Sequence, residues 1–242
     1  MPRGKLEMQA LIFDCDGVLV DTERDGHRVA FNAAFKAIGW ETQWSVKRYG
    51  DLLTTAGGKE RIRRHFDEQG WPVPTLERDA AIASLHKLKT DLFMELIETG
   101  ALPLRAGIAR IVDEALSAQL KIAVCSTSNE RAVQAVVDKM LGAKRAQHIK
   151  VFAGDIVAKK KPDPAIYTLA AKELGLDPEN CVVVEDSNNG LRSATSAGMN
   201  CIVTISSYTA DEDFVLADRV VQELGDLPNR VVTLADLRSL VK

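Results

Sequence analysis

The chain has 242 residues, 46% of them hydrophobic, and its 31 basic and 34 acidic side chains give a formal net charge of −3. The length suits one large domain or a core with a smaller module, and the composition supplies enough apolar side chain for a packed core. The near balance of charges offers no general attraction to nucleic acid or to an anionic membrane, and no apolar run approaches the ~18 residues of a membrane span. A small molecule is therefore the expected partner.

The four cysteines are predicted to be buried, reduced thiols. Cys15, Cys125, Cys181 and Cys201 each lie in or beside an apolar run, without a C-x-x-C pair or a nearby histidine. That spacing suits neither a zinc site nor a disulfide framework. The chain is accordingly expected to work in a reducing compartment, and residues 1–8 are too few and too polar to form a signal peptide.

In chain order, a first apolar strand is followed by a long helical stretch and then by strands that alternate with helices. The predicted strands are 9–13, 121–126, 151–153, 181–185 and 201–205, and the predicted helices between the later strands are 108–117, 130–141, 164–174 and 190–197. Strands that alternate with helices pair in parallel through right-handed crossovers. The sequence therefore predicts an α/β fold with a doubly wound parallel sheet.

The helical stretch interrupts the sheet just after its first strand. We predict an α/β core formed by residues 1–23 and 98–242 and an inserted α-helical cap over 24–97. An insert at this point is expected to stand over the carboxyl end of the sheet, where open α/β sheets bind ligands. Within it, His65 lies among charged residues and is expected at the solvated surface.

Two aspartates stand two residues apart at the end of the first strand, in the sequence Asp14-Cys15-Asp16-Gly17. Alternate residues of a strand share a face, so Asp14 and Asp16 are expected to emerge together. Carboxylates this close need a cation between them or a shared proton. The same pattern is also compatible with a solvated turn or with part of a calcium-binding loop.

The segment Ser126-Thr127-Ser128-Asn129 stands where a later strand gives way to a helix. Hydroxyls and free backbone amides at a helix start can bind an anion. The alternative is an ordinary helix cap, which Ser128 or Asn129 would provide without any ligand.

Charged residues follow two further strands. Lys161 is held before Pro162 at a helix entry and is the best candidate of its lysine run for a positive charge directed inward. Glu185 and Asp186 end a fully apolar strand, where acids are costly unless they meet a cation. With the first two aspartates these groups meet the needs of phosphoryl transfer, and a metal site built only of oxygen ligands favours Mg²⁺ over zinc.

In this order the motifs resemble the haloacid dehalogenase-like (HAD) hydrolase superfamily, in the form with a helical cap after the first motif. The resemblance implies a Rossmann-like core in which Asp14 is the nucleophile that forms an aspartyl-phosphate and Asp16 is the general acid and base. It implies that Ser126 and Lys161 hold the transferring phosphoryl group. The implied Mg²⁺ site consists of Asp14, Asp16 through its backbone carbonyl, Asp186 and the adjacent Glu185.

Two stretches of the cap, 49–62 and 86–90, resemble the CbbY-type branch. The stretches 21–27 and 123–130 resemble the photosynthetic eukaryote form of that branch more than the bacterial form. Members of that branch remove the C1 phosphate of xylulose-1,5-bisphosphate, an inhibitor of Rubisco. The resemblance implies a small phosphorylated sugar as substrate, a monomer, and the chloroplast stroma as location if this is a mature chain of such an organism, otherwise the cytoplasm. The implied substrate-binding residues are Glu23, Tyr49, Gly57, Gly58, Lys59, Glu60, Arg61, His86 and Lys89, with Ser126, Thr127, Ser128 and Asn129 in the core. The segment Thr22–His27 is one residue longer than in many relatives, so the resemblance assigns no role to His27.

Other functions are compatible with the same motifs. A phosphomutase of the β-phosphoglucomutase type would return the phosphoryl group to the sugar, and a phosphatase for phosphoglycolate or another metabolite would depend little on a second phosphate. A binding protein on an inactive scaffold is the alternative outside enzymes. Gly57-Gly58-Lys59 is likewise compatible with a glycine-broken turn that carries a solvated base.

Overall fold

The computed structural model describes residues 7–55 and 58–241. Its sheet has six parallel strands in the order β3-β2-β1-β4-β5-β6. The strands are β1 (Ala10–Phe13), β2 (Lys121–Ser126), β3 (Ile149–Ala153), β4 (Cys181–Glu185), β5 (Asn200–Thr204) and β6 (Arg219–Val221). The predicted doubly wound α/β fold is confirmed.

Helices occupy the segments between the strands and the insert after β1. The α-helices are α1 (Arg28–Ala37), α2 (Val46–Leu53), α3 (Gly58–Gln69), α4 (Arg78–Glu98), α5 (Ile108–Ser117), α6 (Glu130–Val136), α7 (Ala143–Ala146), α8 (Ala165–Leu174), α9 (Asn188–Ser196) and α10 (Leu234–Arg238). Single π-helical segments span Thr22–His27 and Val137–Leu141, and 3₁₀ turns span Thr75–Glu77 and Pro178–Asn180. None of the helices within the described ranges is both long and apolar enough to cross a membrane.

The sheet is buried on both faces, which explains why its central strands are continuous apolar runs. Every residue of β1 and β4 is buried. One set of alternate residues packs against α8 and α9, in a core that includes Cys125, Cys181 and Cys201. All four cysteines are free and buried, as predicted.

Strand β6 was not predicted, because it is short and half-exposed. It has three residues, none of them fully buried, and it forms the sheet edge beside β5. Such a strand lacks the apolar alternation that marks a half-buried strand in a sequence. Its position is determined by pairing with β5, where Val203 lies opposite Val220.

The chain divides into two compact units, one formed by Met1–Asp21 with Pro103–Lys242 and the other by Thr22–Leu102. The second unit includes the whole of the predicted cap and adds a few residues at each end. The π-helical segment that starts at Thr22 runs directly into α1. A Cβ at Gly26 would lie 2.7 Å from the Phe93 ring and 3.6 Å from Leu102, so the two ends of the second unit pack closely together.

The second unit has an aromatic core. The rings of Phe31 and Phe35 lie 4.7 and 5.0 Å from that of Trp44, and Phe66 lies 5.9 Å from Phe35. The prediction that His65 is solvated is wrong, because its side chain is buried beside this core. Position 65 falls on the inner face of α3 with Ile62 and Phe66, whatever the charges that surround it in the sequence.

His65 is held as a neutral base. Its Nδ1 accepts from Arg48 Nε at 3.3 Å. Burial lowers the pKa of His65 to about 4, the Arg48 cation adds to that effect, and Glu68 opposes it. A proton therefore enters this imidazole far less readily in the folded chain than in the unfolded chain, where the ordinary value is about 6.5.

The free energy of unfolding is expected to fall as the pH drops from about 6.5 towards about 4, because over that range the unfolded chain takes up a proton at His65 that the folded chain does not. His65→Gln should flatten this part of the stability–pH curve. Urea titrations followed by tryptophan fluorescence report on the second unit, since all three tryptophans lie within it. His148→Gln removes an exposed histidine and should keep the wild-type slope. An unchanged slope in His65→Gln would contradict the assignment.

Candidate active site

The register of the sheet brings three polar strand ends together. Phe13, the last residue of β1, pairs with Val124 of β2 and Val184 of β4. The next residues along these three strands lead to Asp14, Ser126 and Glu185, all of which are buried. Parallel strands end at the same edge of a sheet, so these side chains share one site.

The turn after β1 is shaped by a glycine. The Asp14 amide donates to the Val184 carbonyl at 2.9 Å, and the Gly17 amide donates to the Val20 carbonyl at 2.8 Å. Gly17 has a φ of 81°, and a Cβ there would lie 2.0 Å from a carboxylate oxygen of Asp186. Only glycine permits both this backbone conformation and this close approach.

Lys161 is buried between two carboxylates. Its Nζ lies 2.7 Å from Asp14 Oδ1, 2.6 Å from Glu185 Oε1 and 3.0 Å from the Cys125 carbonyl oxygen. Burial lowers the pKa of Lys161, but attraction to Asp14 and Glu185 outweighs that effect, so the pKa is raised overall. The ammonium group is therefore charged and fixed in place, as the inward-directed cation that was predicted for this position.

Three carboxylates form a candidate metal site. Asp14, Glu185 and Asp186 each offer a ligand atom, and these atoms lie within 4.8 Å of one another. Burial raises the pKa of Asp14 and of Asp186, the nearby Glu185 carboxylate raises both further, and Lys161 opposes the rise. Together with Asp16 the site holds four carboxyl groups and one ammonium group, so an anionic ligand needs an additional cation. An all-oxygen donor set fits Mg²⁺.

Asp16 is bound by the loop that follows β2. Its Oδ2 accepts from the Ser128 hydroxyl at 2.5 Å and from the Ser126 hydroxyl at 3.4 Å. Its side chain is not one of the three grouped carboxylates, and the family resemblance implies only its backbone carbonyl as a metal ligand. Asp16 is thereby oriented by hydroxyl groups, apart from the acids that could hold a cation.

The loop after β2 provides the ordinary helix cap, one of the two alternatives that the sequence left open. Asn129 caps α6, since its side chain accepts from the Ala132 amide at 3.3 Å. The Ser128 amide donates to Ser126 Oγ at 3.1 Å. The Thr127 carbonyl accepts from Lys160 Nζ at 3.0 Å, so this lysine, the neighbour of Lys161, supports the loop.

The second unit contains its own polar cluster. The Tyr49 hydroxyl donates to Glu23 Oε2 at 2.6 Å and accepts from Arg61 Nη1 at 3.3 Å. Arg61 also lies 3.8 Å from the Glu23 carboxylate and donates to the Thr55 carbonyl. Three predicted substrate-binding residues are therefore joined in one network.

A second set of predicted residues surrounds Lys89, which is buried. Its Nζ lies 3.0 Å from His27 Nδ1 and over the rings of Phe31 and Phe93, at 4.9 and 5.2 Å. Burial lowers the pKa of Lys89 to about 8, with Arg61 acting in the same direction and Glu23 against it. Burial also lowers the pKa of His27, so its neutral imidazole accepts a hydrogen bond from the Lys89 ammonium group.

The remaining predicted residues of the insert lie around the start of α3. A Cβ at Gly58 would lie 2.8 Å from the His86 ring, so these two residues pack together. Lys59 and Glu60 are exposed in the first turn of α3. Gly57 lies outside the described residues.

Two residues of these sites had no assigned role. Tyr167 donates to Glu185 Oε1 at 2.5 Å from the buried face of α8, and His27 contacts Lys89. The contact of Tyr167 could have been anticipated from the sequence. The tyrosine lies on the apolar face of the helix that follows Lys161 and Pro162, and a buried phenol needs a hydrogen-bond acceptor. His27 carried none, since its partner is 62 positions away in the sequence.

The similarity of this chain to known proteins extends over most of its length. The family model for haloacid dehalogenase-like hydrolases matches residues 8–198. The chain belongs to this family. The predicted superfamily and the prediction of a hydrolytic enzyme are both confirmed.

Relatives of this hydrolase carry the CbbY name. The CBBY-like protein of Arabidopsis thaliana is 57% identical over 237 residues, which span 96% of this chain and 74% of that protein. Protein CbbY of Cereibacter sphaeroides is 43% identical over 222 residues, 91% of this chain and 94% of that protein. A crystal structure of a CbbY mutant from Rhodobacter sphaeroides in complex with xylulose-1,5-bisphosphate is 40% identical, with a TM-score of 0.72 over 95% of this chain and 99% of that one.

Mg²⁺ is expected to raise the Tm of this hydrolase, because a cation held by three native carboxylates stabilises the folded state. The gain is about 2.7 kcal/mol at a Mg²⁺ concentration 100 times its Kd. Asp186→Asn should lose most of the Mg²⁺-dependent rise, which differential scanning fluorimetry at constant ionic strength measures. Asp91→Asn, which changes an exposed acid paired with Lys87, should keep it. The same rise in both variants would exclude this metal site.

Proposed function

We propose that the chain is a Mg²⁺-dependent phosphatase of a small sugar bisphosphate. Its proposed substrate is xylulose-1,5-bisphosphate, from which it removes the C1 phosphate. The observation that carries the proposal is the buried Asp14–Lys161 pair beside Asp186, with Asp16 held separately by serine hydroxyls. This arrangement provides a nucleophile, a fixed cation, a metal site and a separate acid. The bound xylulose-1,5-bisphosphate of the Rhodobacter sphaeroides relative supports the choice of substrate.

Asp14 and Asp16 divide the chemistry. A carboxylate oxygen of Asp14 attacks phosphorus, the bond from phosphorus to the sugar oxygen breaks, and Asp16 donates a proton to that oxygen. Water then attacks the aspartyl-phosphate, Asp16 accepts its proton, and the bond from phosphorus to Asp14 breaks to release phosphate. Mg²⁺, when bound by Asp14, Asp186 and Glu185, would neutralise charge on the phosphoryl oxygens.

Lys161 and Ser126 hold the transferring group in this proposal. Lys161 presents a charge that its buried partners keep in place, and Ser126 supplies a hydroxyl at the carboxyl end of β2. Preorganised donors of this kind stabilise charge that develops during transfer without a cost of reorganisation.

We assign the rest of the sugar to the second unit. Glu23, fixed by Tyr49, suits hydrogen bonds to sugar hydroxyls. Lys59 is exposed beside His86 and suits a second phosphate, and Lys89 adds positive charge. Binding energy from a remote phosphate can be used to favour the transition state at the reacting one.

The decisive test is phosphate release from xylulose-1,5-bisphosphate, compared with ribulose-1,5-bisphosphate, phosphoglycolate and β-glucose 1-phosphate, with and without Mg²⁺. Asp14→Asn serves as the blank, because an amide cannot act as the nucleophile. We expect release from the xylulose compound to exceed the others and to require Mg²⁺. A preference for another compound would retain the chemistry and reject the substrate, and activity in Asp14→Asn would reject the mechanism.

A phosphomutase uses the same nucleophile but returns the phosphoryl group to the sugar. The product distinguishes the two reactions, and ³¹P NMR of the reaction mixture reads it directly. We expect inorganic phosphate. An isomeric sugar phosphate without phosphate release would replace this proposal with the mutase.

Lys59→Ala is expected to lower kcat/KM for the bisphosphate about tenfold or more, the order of one lost charge-assisted hydrogen bond, and to leave turnover of phosphoglycolate nearly unchanged. Lys87→Ala is the matched control, because this exposed lysine pairs with Asp91 on the surface of α4. Steady-state kinetics on both substrates measures the ratio. Equal losses on the two substrates would refute a second-phosphate role for Lys59.

A further inference from the structure

All three hydrogen-bond donors of the Lys161 ammonium group are already used within the protein. An ammonium group has three donors. In Lys161 they meet Asp14, Glu185 and the Cys125 carbonyl, at 2.7, 2.6 and 3.0 Å. If this lysine is to hold a phosphoryl oxygen, one of those three acceptors must give up or share its proton.

Glu185 is the acceptor that can release Lys161 at least cost. Its Oε1 also accepts from the Tyr167 hydroxyl at 2.5 Å, and its Oε2 accepts from the Asp186 amide at 3.2 Å. Glu185 is fully buried, and a buried carboxylate without a donor is costly. Because Tyr167 remains as a second donor to the same oxygen, Glu185 is not left unpartnered when Lys161 turns away.

The ring of Tyr167 also restricts where the Lys161 ammonium group can move. Its side chain is fully buried on α8, and Lys161 Nζ lies 4.9 Å from the centre of its ring. The ring face attracts the ammonium group and limits the directions in which it can move. Tyr167 thus provides the hydrogen-bond donor that stays with Glu185, and its ring limits the movement of Lys161.

We propose that Tyr167 is a positioning residue for phosphate binding: by sharing the Glu185 Oε1 acceptor, it allows Lys161 to turn one proton from Glu185 to the phosphoryl group. The inference rests on the proposed function, in which Lys161 holds that group. It gives Tyr167 a role that acts through Lys161 and involves no contact with substrate.

Tyr167→Phe tests this by removing the hydroxyl and keeping the ring. Lys161 is then the hydrogen-bond donor that remains to Glu185 Oε1, so the carboxylate holds the ammonium group more firmly. The Kd of inorganic phosphate, measured by isothermal titration calorimetry in Mg²⁺ buffer, should rise about tenfold, the order of one charge-assisted hydrogen bond. The kcat/KM for a monophosphate should fall by a similar factor.

Thr195→Val is the matched control. It removes a partly buried hydroxyl that donates to the Leu191 carbonyl at 2.9 Å within α9, with little change of shape. Both variants are expected to lower the Tm, but only Tyr167→Phe should weaken phosphate binding. Equal phosphate Kd values in Tyr167→Phe, Thr195→Val and the wild type would overturn the proposal.

Two further variants separate positioning from loss of structure. 4-Aminophenylalanine in place of Tyr167 retains an N–H donor at the ring tip and should restore phosphate binding, whereas a merely structural role predicts no such rescue.

In a Lys161→Gln background, adding Tyr167→Phe should change the phosphate Kd by less than twofold, because the effect acts through the lysine. A full tenfold effect in that background would refute the coupling. Absence of phosphate binding by the wild type, in contrast, would overturn the proposed function together with this inference.

Discussion

The buried ion cluster around Lys161 is the interaction on which the rest of the site depends. Removing charged groups from water is costly, and a buried salt bridge often stabilises a fold no better than apolar side chains of the same volume. Here the cost is offset because the ammonium group and the carboxylates of Asp14 and Glu185 satisfy one another directly. A cluster that stability alone does not require, at the end of a parallel sheet, is best explained by its chemistry.

The backbone around this cluster is built to admit the carboxylates. A Cβ at Gly190 would lie 2.0 Å from the Glu185 carboxylate, just as one at Gly17 would collide with Asp186. Gly17, in the turn after β1, and Gly190, in the first turn of α9, therefore provide space for two different acids. The fold places acidic groups in contact with main chain, where side chains of any other residue would displace them.

The sequence was sufficient to predict which polar residues lie at the strand ends, but it did not predict which side chains contact them. Asp14, Ser126, Lys161 and Glu185 could be predicted to converge, because apolar runs locate the strands and parallel strands end at one edge. The Tyr167–Glu185 and His27–Lys89 contacts could not, since they depend on how helices pack and on which way a side chain points. His65 shows the same limit in reverse: local charges suggested solvent, whereas helical phase placed the ring in the core.

One arginine, Arg105, binds both the turn after β1 and the end of β5. The geometry of the site therefore depends on the core as a whole. The Arg105 guanidinium donates to the carbonyl of Gly17, beside Asp16, and also to the carbonyls of Thr204 and Ile205 at 3.0 and 2.6 Å. The fork of an arginine holds several acceptors in one fixed arrangement, which a lysine could not do. Because the Gly17 carbonyl and the strand ends are tied to the same cation, Asp16 is positioned by residues far from it in the sequence. For the proton transfer proposed for Asp16, long-range contacts of the core therefore fix the adjacent backbone, and Ser126 and Ser128 orient the carboxylate itself.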